Sequence, residues 1–199
     1  MYKLLGRKTS GNVQKVLFML EELGTPYERI DYGRQFDNTT TPEYKAMNPT
    51  SKVPTLVDGD VTIWESNTIL RYLAAKERAA LTGATPAERT DVERWMDFLI
   101  AAVNPGYMAA FKGAKLTPDE QTEDYKAQTA DLVAQMAIID GHLAAKDFVA
   151  LGRLTIADIA LAPIMNRCLN FKIGAKALPN LERWMTGIAG RAAFKAATA

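Results

Sequence analysis

Three short stretches of this chain hold residue types suited to gripping a small, extended, charged ligand. The first is the loop Arg7-Lys8-Thr9-Ser10-Gly11-Asn12, which brings a hydroxyl at Ser10 and an amide at Asn12 to the start of a predicted helix. Backbone donors and the positive dipole end gather there, so both side chains are placed to face an anion. Serine and asparagine are also the favoured helix caps, and taken alone that plainer role describes them better. The second stretch is Lys52-Val53-Pro54-Thr55. Proline lowers the preference for a trans bond, so Val53-Pro54, just ahead of a predicted strand, is a candidate cis peptide. A cis bond there would turn the Val53 amide and carbonyl outward, free to pair with an extended peptide. Lys52 adds a cation beside that edge, although an exposed lysine is as often only a solvated charge. The third stretch is Glu65-Ser66, with Ser66 expected to cap the helix that begins at Asn67 and to hold a carboxylate on its free amides. An acidic residue and a cap near a helix start are otherwise ordinary.

The elements that must position these residues follow from periodicity. Tyr2 to Leu5 is a short apolar strand, and Val13, Val16, Leu17, Leu20 and Leu23 recur at helical spacing until Gly24. Tyr27 to Asp31 alternates as a second strand, which completes a β-α-β unit with parallel strands. Thr41-Pro42-Glu43 reads as cap, first turn and early acid of a short helix. Asp58-Gly59 marks a hairpin between Thr55–Val57 and Val61–Trp64. The resulting order, β-α-β-α-β-β-α, is that of an α/β thioredoxin-like N-terminal domain, residues 1–76.

Residues 77–85 form a small, charged linker, after which strand signals vanish and an all-α C-terminal helical domain is expected over 86–199. Thr85-Pro86-Ala87-Glu88 opens it with a capping box. Val92, Trp95, Met96, Leu99 and Val103 mark an amphipathic helix that Asn104-Pro105-Gly106 should bend. Thr117-Pro118-Asp119-Glu120 is expected to open a second long helix. Thr155-Ile156-Ala157-Asp158 is a further capping box, and the nearly all-apolar helix behind it should be the buried centre. Its Thr155 and Asp158 are assigned to folding, and Cys168 to inert packing.

Totals exclude several function classes. The 199 residues carry a net charge of +1, which recommends neither nucleic acid nor an anionic membrane as partner. A single cysteine, Cys168, rules out an internal disulfide or CxxC redox pair, and with the lone His142 it makes a metal site hard to build. No signal segment opens the chain and no run approaches the roughly 20 apolar residues that cross a bilayer, so a cytoplasmic protein is expected.

Lys52-Val53-Pro54-Thr55-Leu56 followed by Trp64-Glu65-Ser66-Asn67-Thr68-Ile69 resembles the glutathione site of the soluble glutathione S-transferases. The resemblance runs on through Leu154 to Asp158 and to Arg191-Ala192-Ala193-Phe194. Ser10-Gly11-Asn12-Val13-Gln14-Lys15-Val16 resembles the segment in which bacterial serine-type, theta/beta-like members carry their active serine, and Ser10 falls at that position. Asn12 departs from the proline many of them have, which leaves open whether Ser10 or Asn12 is the main thiolate donor. Tyr2, on the strand itself, does not fit a tyrosine-type enzyme.

The resemblance implies glutathione as cosubstrate, with no metal and no other cofactor. Ser10 would donate to the thiolate, Val53-Pro54 would pair with the peptide, and Glu65 and Ser66 would hold the γ-glutamyl end, with Lys52 nearby. It also implies transfer of the thiolate to a small hydrophobic electrophile and a homodimer. The same site would serve a glutathione-dependent disulfide or peroxide reductase, or a non-catalytic glutathione-binding scaffold protein. Trp95, Tyr107, Met108 and Phe111, mostly core candidates, could with Arg167 and Phe171 line the second-substrate pocket.

Overall fold

The computed structural model describes residues 1–199, and the chain divides into two compact units, residues 1–82 with 190–199, and residues 83–189.

The first unit is built on a four-stranded sheet of β1 (Tyr2–Leu5), β2 (Tyr27–Ile30), β3 (Thr55–Asp58) and β4 (Val61–Trp64) in the order β2-β1-β3-β4. β1 runs parallel to β2 with Tyr2 opposite Tyr27, and β3 runs antiparallel to both β1 and β4. Helices α1 (Gly11–Leu23), α2 (Pro42–Met47) and α3 (Ser66–Glu77) complete the thioredoxin-like order. α1 buries Val13, Val16, Leu17 and Leu20, the positions its periodicity selects, and stops where Gly24 takes a left-handed φ of 64° and its N–H reaches back to the carbonyls of Leu20 and Glu21. Leu4 and Leu56 of the sheet and Ile69, Leu70 and Leu73 of α3 close the core.

One boundary differs from the expected one. Residues 190–199, including α9 (Ala192–Thr198), belong to the first unit. Phe18 and Met19 on α1 are also fully buried, so α1 needs cover on a second face. Phe194 supplies it, meeting Phe18 edge-to-face at 5.3 Å, and Arg191 grips Glu22 through two bonds of 2.5 and 2.8 Å. Periodicity selects one buried stripe on α1; it does not show that α9 covers a second face.

The second unit is helical throughout: α4 (Pro86–Phe98), α5 (Asn104–Gly113), α6 (Glu123–His142), α7 (Ile156–Cys168) and α8 (Pro179–Ala189). The disturbance expected at Asn104-Pro105-Gly106 takes the form of a π-helical turn just ahead of it, Leu99–Val103. Pro105 has no N–H to return to the carbonyl of Ala101, and the helix widens to reassign its bonds. Thr117 does not open α6. It starts only the 3-10 turn Pro118–Glu120, because Gln121 is extended at ψ 110°, and Thr122 caps α6 instead. From Ile156 to Met165 every residue of α7 is buried. No helix is long and apolar enough to cross a membrane.

Candidate functional site

The sheet register explains how three distant stretches meet. Leu5 at the end of β1 lies opposite Thr55 at the start of β3, and Thr55 lies opposite Trp64 at the end of β4. The loop to Ser10, the Val53-Pro54 pair and Glu65-Ser66 therefore meet at one end of the sheet, where these strands stop or begin. Gly6 makes the close approach possible: a Cβ there would lie 2.5 Å from Val13 and 3.4 Å from Val53. The Val53-Pro54 bond is cis. Val53 stands just outside the strand ladder, and its own amide and carbonyl make no backbone hydrogen bond.

Ser10 occupies the N-cap position of α1 with extended backbone angles, and its carbonyl accepts from the Gln14 amide at 2.9 Å. Its hydroxyl, however, makes no capping bond, and the residue is buried. The role that its type most commonly plays is thus left unfilled. Asn12 is exposed on the first turn, and its Oδ1 accepts from the Ser66 hydroxyl over 3.4 Å, which links the start of α1 to the start of α3.

At α3 the expected cap shifts by one residue. Glu65, not Ser66, takes the N-cap position, with φ 68° and ψ 116°, and Ser66 is the first residue inside the helix. β4 turns into α3 with no linker, so one residue must reverse the chain. A non-glycine residue in such a region costs about 1–3 kcal/mol, a burden usually found where side-chain placement matters more than stability. Ser66 is buried with its amide at the dipole end, whereas Glu65 and Lys52 are exposed.

Sequence reasoning missed a neighbour of these groups. Lys15, on α1, is buried at 3% exposure, and burial pushes its ammonium from an ordinary 10.5 down to about 7, with the negative charge of Glu65 pulling the other way. The signal in the sequence is the company Lys15 keeps, Val13 before it and Val16, Leu17, Phe18, Met19 and Leu20 after it, and in the structure every residue of that run is buried. Such a helix segment has no polar face on which to place a charge.

In the helical unit the assignments are structural. Asp158 accepts from the Val149 and Thr155 amides at 2.8 and 2.9 Å, the Thr155 hydroxyl at 3.1 Å and the Trp184 indole at 3.0 Å. Burial pushes its carboxyl upward against those four donors. The Cys168 thiol is buried and pushed up to about 12 by desolvation, which keeps it protonated and inert. Tyr107 lies 6.1 Å from Phe111 and 6.0 Å from Phe171 between ring centres, with Arg167 donating to its hydroxyl at 3.4 Å. No group of three or more His, Cys, Asp or Glu side chains is placed to hold a metal ion.

The arrangement offers two anion-facing helix starts, a hydroxyl with no internal partner at one of them, and a backbone edge between. Residues 9–76 match the model of the glutathione S-transferase N-terminal domain, and residues 95–192 match that of its C-terminal domain. The chain is 36% identical to glutathione S-transferase GstB of Escherichia coli, over 98% of its own length and 96% of that protein's. Among solved structures it resembles the theta class glutathione S-transferase of Xanthomonas axonopodis pv. citri with glutathione bound, at a TM-score of 0.91 and 34% identity, covering 99% of this chain and 96% of that one. A glutathione S-transferase from Pseudomonas fluorescens aligns at a TM-score of 0.87 and 28% identity over 96% of each chain.

Proposed function

Because this chain belongs to the glutathione S-transferase family, we propose that it is a cytoplasmic enzyme that activates the glutathione thiol at Ser10 and transfers the thiolate to a small hydrophobic electrophile. The observation that carries this assignment is the hydroxyl of Ser10, a residue only 8% exposed at the start of α1, which is not spent on capping. Glutathione spans this end of the sheet with its cysteinyl unit on the Val53 backbone. Its γ-glutamyl carboxylate lies at Ser66 and the start of α3, and its ammonium near Glu65. Lys52 is a further cation within reach of the peptide.

A free thiol near pKa 8.5 is mostly protonated at neutral pH. A hydroxyl bond to the anion, about 1.5–3 kcal/mol, and a helix-dipole contribution of about 0.3–1 kcal/mol together lower that by about one to three units. Ser10 is the donor and remains protonated; the thiol proton passes to solvent. The sulfur then attacks the electrophilic carbon, and the S–C bond forms as the leaving group departs with its electron pair. Phe111 and Phe171, half-buried beside the buried Tyr107, are the aromatic side chains of the helical unit chemically suited to an apolar acceptor.

Two measurements test the assignment. Thiolate absorbance near about 240 nm should titrate at least one unit lower for bound than for free glutathione. Turnover of aryl halides should exceed reduction of disulfides; the reverse order would make the enzyme a reductase on the same site. We further propose a two-fold homodimer, supported by the exposed Trp64 on edge strand β4 and the exposed Phe36. Light scattering should then give about twice the 21.9 kDa chain mass at micromolar concentration.

A further inference from the structure

We propose that Tyr44, Asn48 and Thr55 are positioning residues, a buried hydrogen-bond network that aims the Val53 amide at the cysteinyl carbonyl of glutathione. This rests on the glutathione assignment above. In the sequence, residues 41–52 offer the start of a short helix and the Lys52 cation. In the structure they end on a single carbonyl, that of Lys52, which accepts from the Tyr44 hydroxyl at 2.6 Å and from the Asn48 amide at 2.9 Å.

The rest of the network closes without an unfilled position. Asn48 spends its other N–H on the Thr55 hydroxyl oxygen at 3.0 Å, and its Oδ1 accepts from the amide and hydroxyl of Thr50 at 3.1 and 2.7 Å. Tyr44 and Thr55 oxygens are 2.9 Å apart. Since the phenol proton is given to Lys52, the Thr55 hydroxyl is the donor in that contact. Tyr44 and Asn48 are each 1% exposed and Thr55 is fully buried. Donors so far from water hold their acceptor strongly, because no solvent molecule can substitute for it.

Planarity carries the effect to the ligand. The only cis peptide in the chain is Val53-Pro54, so the bond from Lys52 to Val53 is trans, with its C=O and N–H pointing in opposite directions. A Lys52 carbonyl pinned into the interior therefore turns the Val53 N–H away from it, outward at this end of the sheet. That N–H has no partner within the protein. The Tyr44 ring is held separately, stacked on Tyr32 at 5.0 Å, so removing the hydroxyl leaves the ring in place.

The test uses Tyr44→Phe in the full-length protein, titrated calorimetrically with two ligands: glutathione, and its isostere in which an alkene replaces the cysteinyl–glycine peptide bond and so lacks the carbonyl. Tyr44→Phe should weaken glutathione about threefold to tenfold, the range of one neutral hydrogen bond. The isostere should bind wild type and variant equally, and kcat at saturating glutathione should hold. Thr55→Val, which removes the hydroxyl shared by Tyr44 and Asn48, should repeat the pattern by a second route. Equal losses for both ligands, or no loss for either, overturn the proposal and leave a merely structural network. Wild type that binds the two ligands equally also overturns it, while the transferase assignment stands. Wild type that binds neither removes that assignment as well.

Discussion

Two kinds of helix start coexist in this molecule. At α2, α4, α6 and α7 a threonine precedes the helix and its hydroxyl accepts from a backbone amide, at 3.2, 3.2, 3.1 and 3.3 Å. At α1 and α3 the cap positions are filled by Ser10 and Glu65, and neither side chain makes a capping bond. The first kind spends its polar groups internally, most completely at α7, where Asp158 closes a capping box and reaches Trp184 as well. The second kind keeps them available, and it occurs twice at one end of the sheet. Cap residues are thus informative less by their type than by whether they cap, and predictions should separate the two kinds by which observable moves.

The largest effect belongs to the satisfied start. Asp158→Ala strands the Val149 amide, the Trp184 indole and the Thr155 amide and hydroxyl in the interior. We expect a loss of about 3–5 kcal/mol in denaturant unfolding, the scale of breaking a buried charged network. Glutathione affinity of the folded fraction should stay within about twofold. A variant that kept its stability and lost glutathione would dissolve the distinction.

Next comes the charge buried beside the open starts. Lys15 titrates near 7 in the folded protein and at an ordinary 10.5 unfolded. Between those values the unfolded chain binds the extra proton, so stability rises with pH, by up to about 1.4 kcal/mol per unit. Below about 7 both states are charged and the full cost of burial is felt. Lys15→Met should therefore be more stable than wild type by a margin greatest at neutral and lower pH. That margin should shrink by about 2–3 kcal/mol between pH 7 and 9, measured as paired unfolding curves. A margin independent of pH would show that the site lacks a titrating lysine.

Smaller again is the effect of Ser10→Ala, and here the two kinds of start are compared directly. The apparent pKa of bound glutathione should rise by about one to two units, matching a lost bond of about 1.5–3 kcal/mol to an anion. Unfolding free energy should change by less than about 0.5 kcal/mol, because no cap bond is lost. Thr85→Ala should do the opposite, costing about 1 kcal/mol of stability while leaving the thiol titration in place.

Much of this was legible in the chain itself. Strand alternation and the helical spacing of Val13 to Leu20 fix the order of elements, and X-Pro before a strand marks the cis bond at Val53-Pro54. What stayed hidden depends on contacts across long sequence separations. Ser10 could be recognised as a cap-type residue, but whether it caps is decided by geometry that a single position does not encode. Glu65 took the cap position in place of Ser66 because β4 runs straight into α3. Tyr44 reads as an apolar helix residue, and its bond to Lys52 shows only when the chain folds back eight residues later. Phe194 and Phe18 meet across nearly the whole chain.

The smallest predicted effect is the one that decides how the thiolate is held. Asn12 stands beside the open start of α1, but it is exposed, and its bond from Ser66 is long at 3.4 Å. Water competes more for the amide of an exposed residue, so its contribution to an anion should fall below that of the hydroxyl of Ser10, a buried residue. Asn12→Ala should then shift the bound thiol by less than about half a unit, under 0.7 kcal/mol. Because Ser66 loses its partner across the two helix starts, the KM for glutathione should rise about twofold, with kcat nearly unchanged. The readout is the same thiolate titration, run beside Ser10→Ala. Should Asn12→Ala move the titration as far as Ser10→Ala does, the thiolate is shared between the two residues. Should it move the titration while Ser10→Ala leaves it still, the Ser10 hydroxyl is not the donor, and the unspent cap at α1 is a packing feature with no part in the chemistry.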